Sequence, residues 1–337
     1  MKRVLAVRQD NNGDVILVGP AIRALAAQAH VDLLCGPRGA AAAALLPGVD
    51  VVHVEEAAWI DAEPAPIERD VVNAFIDRMR GRYDEAVIFT SFHQSPLPMA
   101  LLLRMAGIAR IGAVSVDYPG SLLDVRHRVD DDIHEVERAL SLVEAMGYPI
   151  PSNDDRRLRL HRLARVEYDE PHYVVVHPGC TMTARTWSTS GFFDVTRLLG
   201  EAGYAIAVTG GSDEQTLTSY VASGHPRARD FGGATTFAQF AALVKGAAAV
   251  VCGNTATTHV AAAVGTPVVE IFPPTIPLSR FSPWMVSYEV FGDQTIGCAG
   301  CRARTCPFAG HPCVSGIDPR DVVASVQRLA RAMEFVS

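Results

Sequence analysis

The sequence predicts an α/β protein made of two doubly wound halves, and three observations carry that reading. Short β-branched runs alternate with segments of helical period from end to end. The alternation halts once, in a Pro- and Arg-rich stretch near the middle, and then restarts. The length of 337 residues fits two domains at roughly 100–200 residues each. Strands alternating with helices at this spacing imply βαβ units and parallel sheets, which places an active site in the cleft between the halves. We divide the chain into an N-terminal domain, 1–160, and a C-terminal domain, 161–337.

In the first half Arg3–Val7 reads as a buried strand and Val15–Ala27 as a helix. Val31–Cys35, Val51–Val54 and Glu85–Phe89 read as strands, Leu97–Met105 and Ile133–Met146 as helices. Gly147–Glu170, with two prolines and five arginines, is the linker. The second half runs strand His172–His177, helix Gly191–Glu201, strand Ala205–Thr209, helix Phe237–Lys245 and strand Ala247–Cys252. Helix Thr258–Val264, strand Pro267–Phe272 and a last helix, Pro319–Met333, complete it.

Hydrophobic residues at 49% and charged residues at 20% exclude a disordered chain. A formal charge of −7 argues against a nucleic-acid partner. Only Val4–Val7 is apolar before Arg8, short of the roughly 7–15 apolar residues of a secretory leader. No run approaches the roughly 20 of a membrane helix. These features predict a cytoplasmic protein, with peripheral contact at a membrane surface left open.

Four polar turns follow strands. Arg8–Asp14 ends in Gly13, suited to a tight turn, and Asp14, an acid near a helix N-terminus at the carboxyl edge of the sheet, where it favours the helix. Absence of G-x-G-x-x-G and of a P-loop lysine argues against dehydrogenases and P-loop NTPases. His177-Pro178-Gly179-Cys180-Thr181, followed by Arg185-Thr186-Trp187, reads as a phosphate cradle with a neutralising cation, or as an ordinary turn with a surface arginine. In Gly210-Gly211-Ser212-Asp213-Glu214 the glutamate suits a ribose diol, while Ser212 suits a plain helix cap. Asn254-Thr255-Ala256-Thr257-Thr258-His259 gathers more polar groups than a cap requires, as an anion site at a helix N-terminus does.

In this order and spacing the turns resemble glycosyltransferase family 9, the ADP-heptose lipopolysaccharide heptosyltransferases, over nearly the whole chain. Gly13–Leu25 is similar to the family's opening signature, His134–Arg138 to its H-x-V-E-R element and Phe272-Pro273-Pro274-Thr275 to its F-G-P-T turn. The resemblance implies the GT-B fold, two Rossmann-like domains facing a cleft, the N-terminal one for the acceptor and the C-terminal one for a nucleotide-sugar donor. It implies inverting transfer of heptose from ADP-heptose without a catalytic metal or other cofactor. The acceptor would be a lipopolysaccharide inner-core sugar or a related glycan, with a small natural product or a merely nucleotide-sugar-binding partner as alternatives. By the same resemblance Asp14 is the general base and Arg185 stands where the family has a donor-contacting lysine. Gly179, Thr181, Gly210, Glu214, Thr235, Asn254, Thr255, Ala256 and His259 would hold the donor. Asn12, Gly13, His93 and Ser95 are the acceptor-side candidates. Asn254 and Ala256 depart from the family's D-T-G-x-x-H, losing a charge and a glycine.

Cys298-x2-Cys301-x4-Cys306-x6-Cys313 has a spacing that a structural zinc site can use, with free thiols or a labile disulfide as the other readings. Asp130-Asp131-Asp132 reads as helix capping on a solvated face.

Overall fold

The computed structural model describes residues 1–61 and 63–334. The chain forms two compact units, the first Met1–His161 and the second starting at Arg162.

The first unit holds a parallel sheet of β1 (Lys2–Arg8), β2 (Ala29–Cys35), β3 (Val51–Val54), β4 (Glu85–Ile88), β5 (Arg110–Val114) and β6 (Val125–His127), ordered β3-β2-β1-β4-β5-β6. The second holds β7 (Tyr173–His177), β8 (Ala205–Val208), β9 (Ala228–Asp230), β10 (Ala249–Gly253), β11 (Val268–Ile271) and β12 (Tyr288–Phe291), also all parallel, ordered β12-β11-β10-β7-β8-β9. Counted within each unit, both sheets have the order 3-2-1-4-5-6. The order reverses between β1 and β4 and between β7 and β10, and the crevice outside the carboxyl ends of such a pair is where these folds bind ligands.

Each unit has its own core. Leu5, Val7, Leu34 and Ile88 pack with Phe75, Met79 and Leu103 in the first. Val174, Val176, Ile206, Val251 and Val269 pack with Trp187, Phe192 and Val326 in the second. Central strands read as unbroken apolar runs because both faces are covered.

Several boundaries differ from expectation for local reasons. Val15–Ala27 is not one helix: the chain forms Asn12–Leu17 and Gly19–Ala26, with Pro20 in the first turn of the second, where a missing N–H costs nothing. Gly13 therefore sits in a helical first turn rather than in a tight turn. The helix expected from Ile133 begins at Glu135, capped by His134, whose Nδ1 accepts from Val136 N at 3.2 Å. Asp130–Asp132 stay exposed and are not the cap. Helices Arg69–Met79 and Gln215–Ala222 and strands β5, β6, β9 and β12 add to the expected elements. Residues 148–172 contain neither helix nor strand. Arg23 fastens their start to the first unit by a bidentate pair with Asp154, at 2.6 and 2.8 Å.

Candidate active site

In the first unit the polar centre is Arg8, the last residue of β1 and 2% exposed. Its Nε lies 3.0 Å from Asp10 Oδ2, and its Nη2 donates to Asp14 Oδ1 at 2.9 Å and to Ser91 Oγ at 3.0 Å. Gln94 completes the frame: its Oε1 accepts from Ser91 N at 3.0 Å and its Nε2 donates to Asp10 Oδ1 at 2.6 Å. These groups come from the ends of β1 and β4, the reversal point of the sheet. Burial works against the charge on Arg8, but Asp10, Asp14 and Glu135 outweigh it and hold the guanidinium above its ordinary pKa. Burial likewise pushes the Asp10 carboxyl up, against the pull of Arg8 and of the Gln94 hydrogen bond. A narrow hollow opens beside Asp14, walled by Arg8, Thr90, Glu135 and Arg138.

The other acceptor-side candidates are distributed unevenly. Asn12 Oδ1 accepts from Ala42 N at 3.0 Å, so this carbonyl oxygen pins the helix Ala40–Ala43. Ser95 Oγ accepts from Leu97 N at 3.4 Å at the entry to helix Leu97–Met105. His93 is exposed and stands edge-on to Phe92. Arg8, Ser91 and Gln94 carry the geometry; sequence reasoning offers Gln94, with His93 and Ser95, as a contact for sugar hydroxyls but gives Arg8 and Ser91 no role of their own. The available signal was an arginine ending an otherwise apolar strand.

In the second unit three turns meet. His177 closes β7, half-buried and bonded through Nδ1 to Thr209 Oγ1 at 3.0 Å, and desolvation lowers its pKa to about 4, so the ring is neutral near pH 7. Glu214 precedes helix Gln215–Ala222 and turns its Oε2 back to accept from Gly211 N at 2.8 Å. It, and not Ser212, is the residue at the cap position. A Cβ on Gly179 would lie 2.1 Å from Glu214 Oε1, and one on Gly210 would lie 3.0 Å from Oε2. The two glycines thus leave the space that the Glu214 carboxylate occupies.

Across the reversal point, Cys180 Sγ approaches Asn254 O at 3.8 Å. Helix Ala256–Val264 follows, and Thr255 Oγ1 caps it by accepting from Thr257 N at 3.2 Å. Ala256 is helical, so this position does not call for the glycine conformation. Asn254 is buried, and its Nδ2 has no hydrogen-bond partner among the described residues. His259 lies buried one turn into the helix. Arg185 ends a short 3-10 turn whose backbone O lies 3.1 Å from where a Cβ on Gly253 would stand. Thr181 is exposed beside it. Thr235 lines a hollow of about 400 Å³ with Phe231, Arg229, Arg165, Glu167 and Gln239.

The cysteine-rich segment supports this turn: Ala184 N donates to Arg304 O at 3.0 Å, and Thr183 Oγ1 to Thr305 Oγ1 at 3.2 Å. Cys298, Cys301, Cys306 and Cys313 form no disulfide, and Cys313 is buried while Cys301 is exposed. Among the described residues no three His, Cys, Asp or Glu side chains gather to hold an ion. No described helix is long and apolar enough to cross a membrane.

The family model described as glycosyltransferase family 9 (heptosyltransferase) matches residues 73–311, more than half of the chain. The chain belongs to glycosyltransferase family 9. Lipopolysaccharide heptosyltransferase 1 of Pseudomonas aeruginosa is 28% identical over 178 residues, 52% of this family 9 chain and 49% of that protein. The chain thus spans about half the length of the curated relatives it matches. Among solved structures, the ADP-heptose lipopolysaccharide heptosyltransferase II of Escherichia coli superposes with a TM-score of 0.75 at 19% identity, covering 99% of this chain and 100% of that one. A family 9 glycosyltransferase of Veillonella parvula gives 0.77 at 16% identity, covering 98% and 97%. The fold is GT-B, two parallel six-stranded sheets flanked by helices.

Proposed function

We propose that this family 9 chain is an inverting glycosyltransferase that moves heptose from ADP-heptose to a hydroxyl of a lipopolysaccharide inner-core glycan or a related acceptor. The observation that carries the reading is the meeting of Glu214, Asn254 and the Thr255-capped helix at the reversal point of the second sheet. Phosphate oxygens find first-turn N–H groups there, together with the helix dipole and the buried Asn254 amide. The Glu214 carboxylate is placed to accept from a ribose diol, and the hollow beside Thr235 has room for adenine.

Asp14 takes the proton of the acceptor hydroxyl as that oxygen forms its bond to the anomeric carbon. The bond from that carbon to the ADP oxygen breaks from the opposite face, and its electron pair leaves with ADP. The helix N-terminus and Arg185 carry the charge that develops on the departing diphosphate. Arg8 holds the Asp14 carboxylate at 2.9 Å in a fixed orientation. No metal takes part in this scheme.

Calorimetric titration with ADP, GDP, UDP and dTDP tests the donor. Preference for ADP is expected; preference for another nucleotide would discard ADP-heptose and keep the fold. Binding of none would discard the transfer reading.

A further inference from the structure

Asp10 is a buried carboxylate beside the proposed base with no assigned role, and its placement bears on how Asp14 works. Arg8 is one cation set against two carboxylates: Asp10 Oδ2 lies 3.0 Å from Nε as an ion pair without a hydrogen bond, and Nη2 donates to Asp14 Oδ1 at 2.9 Å. Gln94 fixes Asp10 from the other side at 2.6 Å, so Asp10 cannot turn from Arg8 without losing that bond. Each element packed around the cluster brings its own polar or charged group. The segment after β4 brings Ser91, His93 and Gln94, and helix Glu135–Ala145 brings Glu135 and Arg138. Arg8 touches Asp10, Asp14 and Ser91, so Asp10 is the second anion in direct contact with the guanidinium.

A guanidinium paired with one carboxylate favours that group's ionised form and weakens it as a base. A second carboxylate on the same guanidinium divides the cation's field and adds its own repulsion, so the pair takes up its first proton more readily than either acid alone with Arg8. Resting on the reading of Asp14 as the base, we propose that Asp10 is a positioning residue: by its ion pair with Arg8 it leaves Asp14 held in place yet able to accept the hydroxyl proton. The proton passes from the acceptor oxygen to Asp14. Asp10 touches no reacting atom.

Carboxyl-carbon NMR of the intact chain labelled at aspartate tests this without any substrate. In the parent, the Asp10 resonance shows two inflections, the mark of coupling to a neighbouring acid. A single inflection would overturn the proposal. In Asp10→Asn the Asp14 resonance titrates about one pH unit lower than in the parent, and an unmoved midpoint in a folded variant counts against it equally. Asp10→Ser gives the same readout if the asparagine variant fails to fold. With ADP-heptose as donor, Asp10→Asn loses about tenfold in kcat with the donor KM unchanged. Full turnover by Asp14→Asn would instead remove the base reading and leave the coupling result standing, so the two failures are told apart.

Discussion

Glu270 stands on β11 with 0% exposure, beneath the first turn of the helix that would face the donor phosphates. Its Oε1 accepts from Thr258 Oγ1 at 2.8 Å, and Cys252 Sγ lies 3.5 Å from the same hydroxyl. Burial raises the carboxyl from 4.5 to about 8, while the Thr258 hydrogen bond pulls the other way. Below 4.5 folded and unfolded chains both hold this proton, so the group's contribution is fully present. Between 4.5 and 8 the unfolded chain releases a proton that the folded chain keeps, and stability falls as pH rises. Glu270→Gln keeps an oxygen for Thr258 and removes the titration. At pH 9 we expect it to exceed the parent by about 1–3 kcal/mol, an advantage that vanishes near pH 4. Urea unfolding at the two pH values measures this, and a gap that stays constant with pH would contradict it. Asp14 belongs to the same scale. Asp14→Asn is expected to lower kcat by about 10²–10⁴ while calorimetry finds ADP affinity unchanged, since Asp14 lies in the first unit and the proposed donor groups in the second. Weakened ADP binding would place Asp14 in the donor site instead.

At the scale of elements, two glycines separate a binding role from a packing role. A Cβ on Gly179, after β7, would meet the Glu214 carboxylate, the free end of a flexible side chain. A Cβ on Gly191, in helix Thr189–Glu201, would meet the buried Trp187 ring at 2.5 Å. Gly191→Ala should therefore cost about 1–3 kcal/mol of stability, with nucleotide affinity kept in the folded fraction. Gly179→Ala should leave the melting temperature within a few degrees and weaken ADP about tenfold by displacing Glu214. Thermal melts read beside calorimetry decide the pair, and the reverse pattern would show the assignments to be exchanged. The same elements show what was legible in the sequence. β1, β7 and β10 were readable because a strand covered on both faces is a continuous apolar run, and a polar turn after such a run marks a ligand edge. β6 and β9 were not, since Val125–His127 and Ala228–Asp230 are three residues each and lack such a run. The partnership of Asp10 with Gln94 was also hidden. It joins positions 84 apart in the chain, and only the 3-2-1-4-5-6 order, which sets β1 beside β4, brings them together. The placement of the four cysteines was hidden for a related reason: spacing fixes which residues can converge, whereas the fold decides that one thiol is buried and another exposed.

For the whole molecule, the proposed function puts separate chemistry on two separate cores of the same sheet order. Glu214 and the helix proposed to bind phosphate rest on the core containing Val174, Trp187 and Val269, while Arg8 and Asp14 rest on the one containing Leu5, Val7 and Ile88. A ligand that binds only the native state stabilises it by RT ln(1 + [L]/Kd), about 2.7 kcal/mol at one hundred times Kd. If ADP engages the second unit alone, that energy should appear there as slowed amide exchange. Segments 177–187, 209–218 and 250–262 are then expected to be protected roughly a hundredfold at that concentration. Exchange in β1 and in helix Gly19–Ala26 should be unaltered. Hydrogen-exchange mass spectrometry with and without ADP reads both sets at once. Protection confined to β1 and β4 would put the nucleotide on the wrong sheet and overturn the division of labour. Equal protection of both sets would mean that ADP couples the two cores, and that the base is set in place only once donor is bound.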